Sequence, residues 1–138
     1  MIDTVTALDT NVLLDVLVED PQFGEASARA IAEASSSGPV VVCDVVVAEL
    51  RPFFTDDAEL ERFLVETGVQ FDPVSLRAAL RAGALWARHR AAGGAPRRAV
   101  ADFLVAAHAA EQAQRLLTRD ADIRSLSLGS LEVVAPGP

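Results

Sequence analysis

The run Ala7-Leu8-Asp9-Thr10-Asn11-Val12-Leu13-Leu14-Asp15 constrains the fold more than any other stretch. It sets a carboxylate where a short apolar strand stops and a helix starts. Residues 4–8 read as a buried strand, and Thr10 or Asp9 can cap a helix to about Leu17, stopped by Asp20-Pro21. The pattern then repeats. Val40 to Cys43 is a β-branched run of the kind found in strands buried on both faces, and Asp44 after it reads as an N-cap. Val69 to Asp72, Leu116 to Thr118 and Leu131 to Val134 are three further short strands. The intervening segments read as helices. One covers Phe23 to Ala34 with Ala28, Ile31 and Ala32 on its apolar side, followed by a Ser35–Pro39 loop. Another runs from Asp56-Asp57 through Glu66 and ends at Gly68. A long one is capped by Ser75, with Leu76, Leu80 and Ala87 inward and Arg77, Arg81 and Arg88 on another face. After Gly93-Gly94, Pro96 suits the first turn of a helix whose core stripe is Val100, Phe103, Leu104 and Ala107. Strands alternating with helices predict a mostly parallel central sheet with helices on both faces.

At 138 residues and 51% hydrophobic content, the chain is expected to form a single domain, 1–138, with a proper core. The longest apolar stretch, Pro39 to Leu50, is broken by Asp44 and too short to span a bilayer. No basic segment precedes the first strand, so no targeting signal is expected. The single Cys43 cannot form an internal disulfide, which fits a reducing cytoplasm. Its apolar neighbours suit a small buried residue.

The net charge of −8 argues against a nucleic-acid partner until its distribution is considered. Residues 1–72 hold fifteen acids and three arginines, whereas residues 73–101 hold six arginines and no acid. The chain has no lysine, so every fixed side-chain cation is a guanidinium, the group suited to paired contacts with phosphate or carboxylate. The same arginines also serve as the solvated face of an Ala/Arg-rich helix. His89 in this stretch reads as solvated, His108 as a partly buried structural residue, and Trp86 as core or partner-facing.

Four acids occupy comparable settings: Asp9, Glu49 in Val-Val-Ala-Glu-Leu, Asp102 in Ala-Asp-Phe-Leu-Val-Ala-Ala-His, and Asp120 in Leu-Leu-Thr-Arg-Asp. Asp9 and Asp120 each follow a strand, and Glu49 and Asp102 are expected near helix starts. In an open parallel sheet these positions share one edge, where ligands bind. Four converging carboxylates repel unless they are protonated or bridged by a cation. Oxygen-only donors favour Mg²⁺ or Mn²⁺, and the chain has no Cys/His cluster with zinc spacing. Taken singly, each acid has a plainer role: a cap, an exposed helix residue, a helix-dipole partner or a turn residue.

The segments Leu8-Asp9-Thr10-Asn11-Val12-Leu13-Leu14, Val47-Ala48-Glu49-Leu50, Ala101-Asp102-Phe103-Leu104-Val105-Ala106-Ala107-His108-Ala109 and Leu117-Thr118-Arg119-Asp120 carry a resemblance in order and spacing. The chain resembles a PIN-domain ribonuclease, in particular a VapC-type toxin of a bacterial toxin–antitoxin pair. The resemblance covers essentially the whole chain. It implies a PIN-like three-layer sandwich, and a metal-binding set of Asp9, Glu49, Asp102 and Asp120 supported by Asn11 and Thr118. Asp122, two residues on, is an alternative fourth acid. Cys43-Asp44 stands where the family often has a serine or threonine. The implied chemistry is metal-dependent endoribonuclease cleavage with Mg²⁺ or Mn²⁺. Arg97 and Arg98 are candidates for holding the RNA backbone. A VapB-type antitoxin and a homodimer are the implied partners. Phe53, Phe54, Leu60, Phe63 and Leu64 then offer either an apolar groove or part of the protein's own core.

Two other functions compete. A phosphatase of the haloacid-dehalogenase type also starts from a strand-end aspartate, but it needs a second aspartate where Asn11 stands. A PIN-like module that binds RNA or protein without cutting is the non-enzymatic alternative.

Overall fold

The computed structural model describes residues 3–94 and 99–137. Five strands, β1 (Thr6–Leu8), β2 (Val40–Val42), β3 (Val69–Phe71), β4 (Arg115–Leu117) and β5 (Glu132–Val134), form one sheet in the order β3-β2-β1-β4-β5. Every pairing is parallel, with Ala7 opposite Val41 on one side and Leu116 on the other. The strands are only three residues long. β1 and β2 are nonetheless buried at every position, as expected of strands covered on both faces.

The helices are α1 (Thr10–Leu17), α2 (Gly24–Ser37), α3 (Asp44–Leu50), α4 (Asp57–Thr67), α5 (Leu76–Ala91) and α6 (Val100–Gln112). Short 3₁₀ turns at Arg51–Phe53 and Ala121–Ser125 complete the set. α4 has the ends its sequence calls for. The Asp56 carboxylate accepts from the Glu59 N–H at 2.8 Å, and Gly68 closes the helix at φ +72°, a left-handed value that glycine adopts without penalty. Gly38 leads into β2 so close to Thr4 that a Cβ there would lie 2.4 Å from the Thr4 carbonyl oxygen. Leu8, Leu13, Leu50, Phe103, Leu116 and Ile123 are the largest apolar side chains of the core, each less than 2% exposed. Cys43 is buried among them, and burial pushes its thiol pKa up, as befits a packing residue rather than a nucleophile. Among the described residues, no helix is long and apolar enough to cross a membrane.

Several expectations are corrected. α2 runs on through Ser37 because the Ser36 and Ser37 hydroxyls bond back to the Glu33 carbonyl. Its inward residues are Ser27, Ile31 and Ala34, whereas Ala28 and Ala32 are exposed. Asp44 is the first residue of α3 rather than its cap. Cys43 takes the cap position, and the Asp44 carboxylate accepts from the Val74 N–H at 3.1 Å. On α5 the inward residues are Ala78, Ala82 and Leu85, while Leu76 and Leu80 are 76% and 66% exposed. Arg77 and Arg81 reach from α5 to Glu111 on α6, which turns that arginine face toward a neighbouring helix. On α6, Phe103 and Ala107 are buried, Leu104 is half-buried and Val100 is exposed. His89 is not simply solvated, since its ring packs 5.4 Å from that of Phe103. Phe54 and Leu60 are core residues, with the Phe54 ring packed at a tilt 5.4 Å from that of Phe63, while Phe53 is exposed.

Candidate active site at the β1–β4 crevice

The sheet order reverses at β1: the chain adds β2 and β3 on one side, then crosses to add β4 and β5 on the other. A parallel sheet opens a crevice outside the carboxyl ends of its strands at such a reversal. Asp9 directly follows β1, and Thr118, Arg119 and Asp120 directly follow β4. The ladder carries these two strand ends into register, because the Asp9 N–H donates to the Leu117 carbonyl at 3.0 Å.

Asp9 is held from several directions. Its Oδ1 accepts from the Thr10 N–H at 2.7 Å, the bond that caps α1. Its Oδ2 accepts from the Thr118 hydroxyl at 2.7 Å and the Asn11 amide at 3.3 Å. The same Thr118 oxygen accepts from the Asp120 N–H at 3.0 Å. One fully buried hydroxyl therefore links the acid after β1 to the backbone of the acid after β4. The Asn11 oxygen accepts from the Arg119 N–H at 3.2 Å. Asn11 and Thr118 thus both donate hydrogen bonds to Asp9.

Glu49 arrives from α3. This helix is only seven residues long, so Glu49 lies in its last turn rather than near its start. The Thr10 hydroxyl donates to Glu49 Oε1 at 2.7 Å and ties it to the beginning of α1. Asp102 stands in the first turn of α6 as expected. Asp120 caps the 3₁₀ turn at Ala121–Ser125, accepting from the Asp122 N–H at 3.0 Å, while Asp122 is exposed. The Asp120 charge acts on Asp9. Arg97 and Arg98 lie outside the described residues.

Burial pushes the Asp9 carboxyl above its ordinary value, and the Glu49 and Asp120 charges add to that push. The Thr118 hydroxyl and Thr10 N–H oppose it without cancelling it. Glu49 and Asp120 are therefore both within electrostatic reach of Asp9. Among the described residues, no three acids, histidines or cysteines gather closely enough to hold one ion between them. The chemistry of the donors still fits a hard divalent cation. The donors are all oxygen, and the central carboxylate carries an unfavourable charge that a cation would relieve.

Thr10, Asp15 and Arg119 also contribute, and sequence reasoning does not point to them. Thr10 reads as a cap, yet its hydroxyl holds Glu49. Buried Asp15 and the half-buried Arg119 side chain form an ion pair at 2.8 Å beside the site. The available signal was spacing: Asn11 and Asp15 are four apart on α1 and so share a face, and Arg119 lies between two motif residues. His108 is fully rather than partly buried, at 1% exposure, and its Nε2 lies 3.0 Å from Asp72.

The sequence profile of the PIN domain matches residues 6–128. No curated protein matches the chain by sequence. Among solved structures, the fold is similar to a chain of VapBC2 from Rickettsia felis bound to a promoter DNA fragment. The TM-score is 0.74 and the identity 17%, over 95% of this chain and 98% of that one. It is likewise similar to a chain of DNA-bound VapBC from Salmonella typhimurium, with TM-score 0.69 and 16% identity over 98% of each chain. A third similar structure is the Mycobacterium tuberculosis toxin VapC20, described as cleaving the sarcin–ricin loop. Here the TM-score is 0.65 and the identity 16%, over 92% of this chain and 98% of that one.

Proposed function

We propose that this chain, which belongs to the PIN-domain family, is a metal-dependent endoribonuclease and the toxin of a VapBC-type pair. The observation that carries this reading is the Asp9 carboxylate. It stands at the β1–β4 crevice, oriented by Thr118, Asn11 and the Thr10 N–H, and burdened by the charges of Glu49 and Asp120. Asp9, Glu49, Asp102 and Asp120 are the residues we assign to hold Mg²⁺ or Mn²⁺. Bound there, the ion supplies charge neutralisation at the phosphate and an acidified water as nucleophile.

The chain's own residues supply orientation. Thr118 donates to Asp9 and accepts from the Asp120 backbone, which keeps the two acids in fixed relation. Thr10 holds Glu49 in the same manner. RNA is held by its phosphates, a contact that positions the strand without reading bases. Arg97 and Arg98 remain assigned to that role by their closeness in sequence to Asp102. Arg77 and Arg81 are engaged by Glu111 instead. A VapB-type antitoxin is the proposed partner, homodimerisation the proposed assembly, and the cytoplasm the proposed compartment. The likeness of fold to chains of VapBC complexes supports the first of these.

The test is incubation of antitoxin-free protein with total RNA in Mg²⁺, Mn²⁺ or EDTA. Discrete cuts that need the ion and vanish in Asp9→Asn are expected. Cleavage that persists in EDTA or in Asp9→Asn would overturn the reading.

A further inference from the structure

Arg119 lies between Thr118 and Asp120, and its side chain turns away from them toward α1. Its Nε and terminal nitrogen donate to the two oxygens of Asp15 at 2.8 and 2.9 Å. Asp15 is 4% exposed at its side chain, and its Oδ2 also accepts from the Ser27 hydroxyl of α2 at 2.8 Å. The guanidinium stacks 4.1 Å from the Phe23 ring. This two-pronged pairing is the strongest geometry open to a carboxylate and an arginine, and no lysine reproduces its fork.

The backbone of the same residue is also engaged. The Arg119 N–H donates to Asn11, and Asn11 donates in turn to Asp9. Asn11 and Asp15 are one helical turn apart, so one face of α1 grips Arg119 twice, once by its main chain and once by its side chain. The residues on either side of that grip are the two that meet Asp9.

We infer that Arg119 is a positioning residue of this site: its fork on Asp15 pins the loop after β4 to α1 and thereby sets Thr118 and Asp120 against Asp9. This rests on the metal-dependent nuclease reading given above. A partly buried ion pair is itself weak evidence for stability, and its geometric grip on the loop is the property that concerns the site.

The test compares wild type with Arg119→Ala, Arg119→Lys and Asp15→Asn in the full chain. Arg115→Ala is the control, because Arg115 pairs with Glu132 at the opposite end of β4. Mn²⁺ binding is read by electron paramagnetic resonance, and RNA cleavage by kcat and KM separately. The Arg119 variants are expected to raise the half-saturating Mn²⁺ concentration about 10–100-fold, the usual cost of losing an outer-shell partner. kcat is expected to fall while KM for RNA stays within about twofold, the mark of a group acting on the reacting centre rather than on uniform binding. The control is expected to leave the Mn²⁺ midpoint where it is.

Arg119 variants that only lower Tm, with wild-type Mn²⁺ midpoint and kcat, would overturn the inference and leave a purely structural pair. A raised KM with unchanged kcat would also overturn it, in favour of an RNA contact. Asp15→Asn keeps the side-chain volume and an acceptor for Ser27, so it decides the same question if Arg119→Ala does not fold. If wild type binds Mn²⁺ but cuts no RNA, the nuclease reading fails, and the Mn²⁺ midpoints still decide the positioning role.

Discussion

Asp9 is held between opposing forces. Burial and the charges of Glu49 and Asp120 raise its pKa, and the Thr118 hydroxyl and Thr10 N–H lower it, with burial prevailing. An acid whose folded pKa lies above its ordinary 3.8 binds more protons folded than unfolded between those two values. Stability therefore falls as pH rises through that window, and the deficit persists above it. Asp9→Asn removes that charge and should raise Tm of the metal-free protein at pH 7. The gain should close as pH falls through the raised pKa toward the ordinary one, and calorimetry across a pH series checks it. Thr118→Val keeps the shape but removes the link between Asp9 and Asp120. Cleavage at a fixed Mg²⁺ concentration should drop about 10–100-fold, measured as initial rate on the mapped RNA.

At the scale of elements, the strands and the caps of α4 were legible because their residues have few alternatives. Valine runs favour strands, and an aspartate and a glycine at the two ends of α4 have specific backbone uses. The inward face of α5 was not. Leu76 and Leu80 outweigh Ala78 and Ala82 by hydrophobicity, but the small residues are the ones buried where α5 meets α6. Helix α2 misled for the opposite reason: Ser27 is polar yet buried, because Asp15 accepts its hydroxyl. Such long-range pairings leave no local trace in sequence. Arg81 and Arg77 hold the Glu111 carboxyl below its ordinary 4.5. The stabilisation is therefore present above that value and lost as pH falls through the lowered one. Glu111→Gln should lower Tm at neutral pH and decline less steeply than wild type below pH 4.5, in thermal melts across that range. Gly38→Ala would set a Cβ against the Thr4 carbonyl, a cost of about 1–3 kcal/mol of stability, checked by urea unfolding.

At the scale of the molecule, the site belongs to the topology. Asp9 and Asp120 are separated by most of the chain, and the reversal of strand order at β1 brings them to one crevice. Asp9 and Asp120 were legible as positions at the ends of strands, and Asp102 as a position near a helix start. The hydrogen-bonded linkage of Asp9 to Asp120 through Thr118 and the grip of α1 on Arg119 depend on register and side-chain direction, which spacing alone does not specify. A divalent-cation site centred on Asp9 in this crevice, as proposed above, is tested first by a Mn²⁺ titration of wild type and Asp9→Asn followed by electron paramagnetic resonance. Wild type is expected to show a saturable site that is lost in Asp9→Asn while the fold is kept. Equal binding by the two proteins, or none by wild type, would show that Asp9 does not centre such a site.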